Sequence, residues 1–166
     1  TINKLKSLNF FSEVSSEVIE GSSANTKIIN ISVEEKPTGE ISAGAGVGTD
    51  GGTVAFGISE NNFLGRGIEF SSDLSLSQES VKGKISLKNP NYLGTNRSLN
   101  LSLQSTITDR LVNFGYKSNK TGFSVGTSFE YYDDLFLTTG VSSFIEKLET
   151  DSTASASLKK QEASYF

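Results

Sequence analysis

The stretch Asn62-Phe63-Leu64-Gly65-Arg66-Gly67 indicates how this chain folds, because its aromatic-Leu-Gly motif returns at Tyr92-Leu93-Gly94. The two copies lie 29 residues apart, and each stands between segments that alternate apolar and polar residues. Such alternation is typical of β-strands, and a strand–turn–strand unit of this length is a β-hairpin. The repeat therefore predicts consecutive hairpins that turn at one common level.

Seven apolar sets follow one another from Glu40 onward, with polar or charged residues at most of the intervening positions. This pattern predicts seven antiparallel strands, each with one apolar and one polar face. The sets are Ile41, Ala43, Ala45 and Val47; Val54, Phe56 and Ile58; Ile68, Phe70, Leu74 and Leu76; Val81, Ile85 and Leu87; Leu99, Leu101, Leu103 and Ile107; Phe123, Val125, Phe129 and Tyr131; and Leu135, Leu137, Val141 and Ile145.

Two protein classes share this alternation: a soluble β-sandwich with its apolar face inward, and a membrane β-barrel with its apolar face toward lipid. Charge favours the barrel, since Asp, Glu, Lys and Arg are expected only outside the apolar sets. Connection lengths favour it too: the turns after strands two, four and six are compact and aromatic, whereas long polar loops are expected near 108–119 and 147–162. Short turns at one end and long loops at the other are typical of outer-membrane barrels.

Residues 1–37 differ from the rest and predict a separate domain, with the barrel segment covering 38–166. Ile2, Leu5 and Leu8 have the spacing of an amphipathic helix, and Asn9 is a suitable left-handed helix stop. A hairpin is expected after the helix, and Pro37 ends it because proline cannot donate to a strand ladder. The chain begins at Thr1 without an initiator Met, so we interpret it as an internal piece of a longer protein.

Composition excludes several kinds of chemistry. The 166 residues contain no Cys and no His, which removes disulfides, thiolate metal ligands and the commonest general base. A net charge of -4 without a basic stretch gives no footprint for nucleic acid. We therefore expect neither a metal, nor a cofactor, nor enzymatic turnover.

Three local patterns have structural explanations. The glycines at Gly44, Gly46 and Gly48 superficially suggest a phosphate loop, but a turn into another strand follows where a helix would be required. They provide either steric room inside a barrel or a weak seam that opens sideways. Asp133-Asp134 is ordinary turn chemistry. The lysines of strand four (Lys82, Lys84 and Lys88) are expected to pair with Glu69 and Asp73 or to face solvent in the lumen.

Taken in order, these residues resemble the BamA-type outer-membrane assembly factors, of the insertase and bacterial surface antigen family. The opening resembles the end of the last periplasmic POTRA module, and the following motifs resemble its junction with the barrel, the first strand and the first two periplasmic turns. The matching stretches are 8–14, 33–39, 44–52, 62–67 and 89–94.

The resemblance implies an all-β, antiparallel transmembrane β-barrel fragment, about seven of about 16 strands, preceded by the C-terminal part of an α+β POTRA module. It also implies folding and insertion of outer-membrane β-barrel clients, with accessory assembly lipoproteins and outer-membrane lipid as further partners. The location implied is the outer membrane of a Gram-negative cell, rather than an organellar one, with the N-terminal segment in the periplasm. Alternatives are a TamA-like or two-partner-secretion pore and a passive porin.

The resemblance also implies which residues act. The client-strand site, or lateral gate, would be the first barrel strand, and the periplasmic turn motifs would be the two aromatic-Leu-Gly corners. The gate residues are Glu40, Ile41, Ser42, Ala43, Gly44, Ala45, Gly46, Val47, Gly48 and Thr49; the turn residues are Asn62, Phe63, Leu64, Gly65, Arg66, Gly67, Asn89, Pro90, Tyr92, Leu93 and Gly94.

Overall fold

A computed structural model describes residues 2–23, 25–48 and 51–163 of the chain, which divides into two compact units, Thr1–Gly39 and Glu40–Phe166. The elements are α1 Ile2–Ser7, β1 Phe11–Glu20, β2 Lys27–Glu35, β3 Gly39–Gly48, β4 Gly51–Phe63, β5 Ile68–Ser77, β6 Ser80–Asn89, a 3-10 turn Tyr92–Gly94, β7 Arg97–Arg110, α2 Leu111–Phe114, β8 Tyr116–Tyr132, β9 Leu135–Thr150 and α3 Ala156–Ala163.

The first unit is a short helix followed by a β-hairpin. Asn9 has φ 59°, the left-handed conformation predicted from sequence, so the chain leaves α1 abruptly and enters β1. Strand β1 pairs antiparallel with β2, and Val14 lies opposite Val33. Val14 is buried, and α1 contacts β1.

The second unit is a seven-stranded sheet in which sequence neighbours are also spatial neighbours, in the order β3-β4-β5-β6-β7-β8-β9. The pairings from β4 through β9 are antiparallel. The seven predicted strands are therefore confirmed, in up-and-down order. No helix among the described residues is long and apolar enough to cross a membrane.

Register places the apolar sets on one face of this sheet. Directly opposed residues share a face, and a continuous apolar row crosses five strands. The row is Phe70, Leu87, Leu101, Val125 and Val141. Within the described residues only Val14, Ser80, Gly115 and Ala154 are buried, so the sheet is a single-layered wall without an internal core. Its apolar face has to be covered from outside the chain.

The expected long loops are wrong. Strand β7 continues to Arg110 and β8 begins at Tyr116, so most of 108–119 is strand and the connection is the short helix α2. Strand β9 extends to Thr150, and α3 follows from Ala156. The connection from β5 to β6 is shorter still, spanning only Gln78 and Glu79. The predicted contrast in loop length is therefore absent between β4 and β9, whereas the aromatic turns are as predicted.

The expectation of a charge-free apolar face also needs correction. Asp109 and Lys117 are opposed across β7 and β8 in the apolar phase, and Lys147 lies in the same phase on β9. Arg97, at the other end of β7, is opposed to Phe129. Glu149 on β9, opposed to Lys117, and Glu60 on β4, opposed to Phe70, share the apolar phase as well. All six charged residues lie within four residues of a strand end. From β5 to β9 the charge-free zone is thus a band across the middle of the wall, as a membrane requires.

Candidate functional site

The predicted gate residues lie on one strand at the first edge of the seven-stranded sheet. Glu40 to Gly48 all belong to β3, and Thr49 lies outside the described residues. All ten residues of β3 are exposed, and the side chains of Ile41 and Val47 are 83% and 92% exposed. Within the described part of the chain, β3 has one neighbouring strand, β4. Strand β3 therefore presents one backbone edge without a partner from the described residues.

The glycines of β3 occupy open space. A Cβ built on Gly44, Gly46 or Gly48 would meet no heavy atom within 4 Å outside its chain neighbours. Gly57 on β4 differs, because a Cβ there would lie 2.6 Å from Oγ of Ser42. The same Oγ lies 3.5 Å from the carbonyl oxygen of Gly57. No neighbour in the described residues thus requires glycine on β3, whereas a side chain at position 57 on β4 would have to displace the Ser42 hydroxyl.

The first turn motif is closed by the side chain and backbone of Asn62. The Asn62 Oδ1 atom accepts the Gly67 N–H at 2.7 Å, and its carbonyl oxygen accepts the Gly65 N–H at 2.9 Å. The Arg66 N–H donates to the carbonyl of Phe63 at 3.3 Å. Glu60, which the sequence did not single out, accepts the Asn62 N–H at 2.7 Å. The sequence could have indicated this role, because an acceptor side chain two residues before Asn62 can reach the Asn62 N–H.

The second turn motif repeats this arrangement with different side chains. The Gly94 N–H donates to the carbonyl of Asn91 at 3.1 Å, and the Thr95 N–H donates to that of Tyr92 at 3.1 Å. The Thr95 hydroxyl also donates to the Tyr92 carbonyl at 2.6 Å. Thr95 was not among the predicted turn residues, and Asn91 lay within the matched stretch 89–94 without being assigned a role. Asn and Thr are common in turns because their side chains form hydrogen bonds with nearby backbone groups. Their residue types could therefore have indicated this role.

Both turns place leucine in the left-handed backbone region. Leu64 has φ 58° and Leu93 has φ 54°, and each is followed by a left-handed glycine. Two successive positive φ angles define the hairpin turn in which Asn, Asp or Gly is preferred at the first position. The left-handed region costs a residue with a Cβ about 1–2 kcal/mol. The leucine side chains are nevertheless 76% and 82% exposed. Nothing within the described chain thus compensates this strain by burying them.

The third turn at the same end of the sheet is charged. Asp133 and Asp134 connect β8 to β9, and Asp134 has φ 63°. The Asp134 N–H donates to Oε1 of Glu130 at 3.1 Å. Tyr131 and Tyr132 precede it with their rings in edge contact, 4.9 Å between centroids. The carboxylates therefore occupy the turn position predicted for them.

The polar face of the wall carries a row of serines. One serine from each of six consecutive strands falls in the same register row: Ser59, Ser71, Ser86, Ser102, Ser124 and Ser142. The hydroxyl oxygens of Ser102 and Ser124 are 2.6 Å apart, within hydrogen-bond distance. Sequence reasoning missed this row, because it becomes visible only once every register is known.

Charged pairs flank the serine row. The Nζ of Lys88 lies 2.9 Å from Oε1 of Glu69, which confirms one predicted pairing. Lys84 is opposed to Asp73, and Lys82 is opposed to Ser75. In the ranges that the structure describes, no group of three or more His, Cys, Asp or Glu residues is placed to hold a metal ion. The chemistry that this wall provides is hydrogen bonding and ion pairing.

An up-and-down antiparallel wall with an apolar band on one face and a polar lining on the other is the arrangement expected of an outer-membrane β-barrel. Residues 62–165 match the family model described as the Omp85 superfamily domain. The chain belongs to the Omp85 superfamily, whose members insert proteins into outer membranes or translocate them across. No curated protein sequence matches the chain significantly.

A solved structure has the same fold. It is the crystal structure of BamA from Haemophilus ducreyi lacking POTRA domains 1-3, with a TM-score of 0.77 and 23% sequence identity. The match covers 90% of this chain and 29% of that chain, so the sequence spans less than a third of its structural relative. The predicted BamA-type fold and the assignment to an outer-membrane β-barrel family are thereby confirmed.

Proposed function

We propose that the protein folds β-barrel clients and inserts them into the outer membrane, with β3 as the edge to which a client strand adds. The observation that carries the proposal is the exposure of all ten residues of β3 at the first edge of the sheet. Membership of the Omp85 superfamily supports it.

The physical basis is the backbone of the edge strand. A free edge presents a row of unpaired N–H and C=O groups, and a second strand pairs with it by β-augmentation. In a lipid environment the drive to pair is strong, since an unsatisfied backbone group there costs several kcal/mol. The process consists of exchanging hydrogen-bond partners, so we propose that it proceeds without enzymatic turnover. Gly44, Gly46 and Gly48 leave the polar side of β3 without side chains beyond Ser42.

The proposed orientation follows from the turns. The aromatic-Leu-Gly turns would face the periplasm, and the unit Thr1–Gly39 would lie there as the end of a POTRA module. Partners are then unfolded outer-membrane proteins arriving from the periplasm, accessory assembly lipoproteins, and the outer-membrane lipid around the apolar band.

The test is a pair of proline substitutions in the full-length protein, Ala45→Pro and Gly46→Pro. Backbone N–H groups of adjacent residues point to opposite sides of a strand, so one substitution removes a donor to β4 and the other removes a donor from the free edge. We expect one variant to destabilise the barrel. The other should fold like wild type, as judged by heat-modifiable gel mobility, and yet insert a client barrel into vesicles more slowly.

The control is Ala43→Val, which keeps the N–H group and should insert clients at the wild-type rate. If the proline variant that folds normally also inserts clients normally, edge pairing is wrong. Transport of a passenger across the membrane without client insertion would favour the translocation-pore alternative.

A further inference from the structure

We propose that Leu64 and Leu93 are lipid anchors, which insert into the membrane boundary at the turn end of the wall and set the height of the first strands in the bilayer. The ligand is the acyl-chain and headgroup boundary of the leaflet nearest these turns. The proposal goes beyond the assembly function and does not depend on it, because it concerns only how the wall sits in the membrane.

The first argument is that an unfavourable conformation occurs twice. Leu64 and Leu93 have φ 58° and 54° in turns where Asn or Gly is preferred. The side chains gain nothing from the described chain, since both are mostly exposed. Strained residues persist where the strain serves a function, and an apolar side chain displayed at a turn tip is suited to an apolar environment.

The second argument is continuity with the apolar band. The ring of Phe63, which immediately precedes Leu64, stacks on Phe70 with 5.2 Å between centroids. Phe70 belongs to the apolar row that continues through Leu87 and Leu101. The first turn is therefore attached directly to the lipid-facing surface. In the second turn, Tyr92 precedes Leu93, and Tyr is enriched where a barrel meets the membrane boundary.

The third argument is the spacing of the two leucines along the rim. They occupy the turns of successive hairpins, β4–β5 and β6–β7, so two strand spacings of about 4.8 Å each separate the turns. Two leucine side chains about 10 Å apart along one rim of the sheet can enter the same membrane boundary together. The next turn along the rim carries Asp133 and Asp134, so the anchors are confined to the strands nearest β3.

The direct test measures depth in the full-length protein on a background without other Cys. Single variants Leu64→Cys and Leu93→Cys are labelled with an environment-sensitive nitrobenzoxadiazole probe and reconstituted in phosphatidylethanolamine and phosphatidylglycerol vesicles. Spin-labelled lipids, with the quencher placed shallow or deep, report depth. Asp133→Cys is the aqueous control and Leu101→Cys the mid-membrane control. We expect the probes at positions 64 and 93 to be quenched most by the shallow lipid.

Quenching no stronger than at position 133 would overturn the proposal. Blue-shifted emission without lipid quenching would overturn it too, since it would show that protein covers the leucines. A second measurement is the urea midpoint of the double variant Leu64→Asn/Leu93→Asn, which relieves the turn strain. The midpoint is expected to change in opposite directions with and without lipid anchoring. If lipid anchors these residues, the urea midpoint of the barrel in vesicles falls; a raised midpoint would mean unpartnered leucines and would refute the anchor.

Discussion

The ring of Phe144 on β9 lies against the backbone of Gly122, its register partner on β8. A Cβ built on Gly122 would collide with Cδ1 of this ring and with the carbonyl oxygen of Ser143. The Nζ of Lys120 also lies over this ring, 5.1 Å from its centroid. The aromatic ring thus covers the gap that the missing side chain leaves in the strand.

We expect Gly122→Ala to destabilise the folded protein, by about 1–3 kcal/mol as is usual for overpacking. The matched control is Gly83→Ala on β6, where a Cβ would meet no heavy atom within 4 Å. Urea unfolding in lipid vesicles checks both variants. Equal urea midpoints for Gly122→Ala and Gly83→Ala would show that the Phe144 ring moves aside without a loss of stability.

The two faces of β7 should differ in their tolerance of charge. Leu101→Arg places a cation in the middle of the apolar row and is expected to cost about 2–4 kcal/mol, enough to block assembly into vesicles. Gln104→Arg lies on the polar face, in register with Lys84, and should assemble. Val125→Arg and Ser124→Arg form a second pair on β8. Assembly of both members of a pair would contradict the lipid-facing assignment.

Glu79 should matter more for stability than Glu69. Its carboxylate pairs with Nε of Arg110 at 2.8 Å and accepts a hydrogen bond from Nδ2 of Asn113 at 2.7 Å. We expect Glu79→Ala to cost about 1.5–3 kcal/mol, the range for hydrogen bonds to charged groups. Glu69→Ala removes only a half-exposed pair with Lys88, so a loss of about 0–1 kcal/mol is expected. Urea unfolding of the two variants ranks them, and a larger loss for Glu69→Ala would contradict this assignment.

Asp151, directly after β9, should make local stability depend on acid pH. Hydrogen bonds from the hydroxyl and N–H of Thr153 lower the pKa of the Asp151 carboxyl group. A lowered pKa stabilises the fold above the unfolded value of about 3.9, and this contribution is lost as the pH falls through the folded value.

We therefore expect Asp151→Asn to increase hydrogen exchange around residues 151–159 at neutral pH. The difference from wild type should disappear at the acid end of the titration. Thr153→Ala should move the Asp151 pKa back toward its ordinary value, and Asp133→Asn, at the opposite end of the sheet, should leave exchange at 151–159 unchanged. A difference that persists in acid would rule out the carboxylate as its source.

The strands and their apolar phase were predictable because a half-exposed strand repeats every two residues. Leu99 to Ile107 and Ile68 to Leu76 gave this signal directly. The strand ends were missed, since Asp109, Lys117 and Lys147 are typical of loops when read without their partners. Pairing between β7, β8 and β9 extends the ladder past the apolar band, and only the register reveals this.

The turns and the first strand of the sheet were predicted in position but not in geometry. The aromatic-Leu-Gly repeat located both turns, and the glycine-rich segment located β3. The left-handed leucines could not be foreseen, because leucine seldom takes positive φ and the preceding residues gave no competing pattern. Asn9 and Asp134 were foreseeable, since Asn and Asp tolerate this conformation.

The row of six serines has a mechanical consequence. A wall that closes into a barrel compresses its inner surface, and the bulk of the inward side chains limits how sharply it bends. Along the line from Ser59 to Ser142 every inward side chain is a serine, so side-chain bulk opposes curvature little at this level of the wall. The six strands can therefore curve around the barrel axis at this level while every ladder hydrogen bond stays in place.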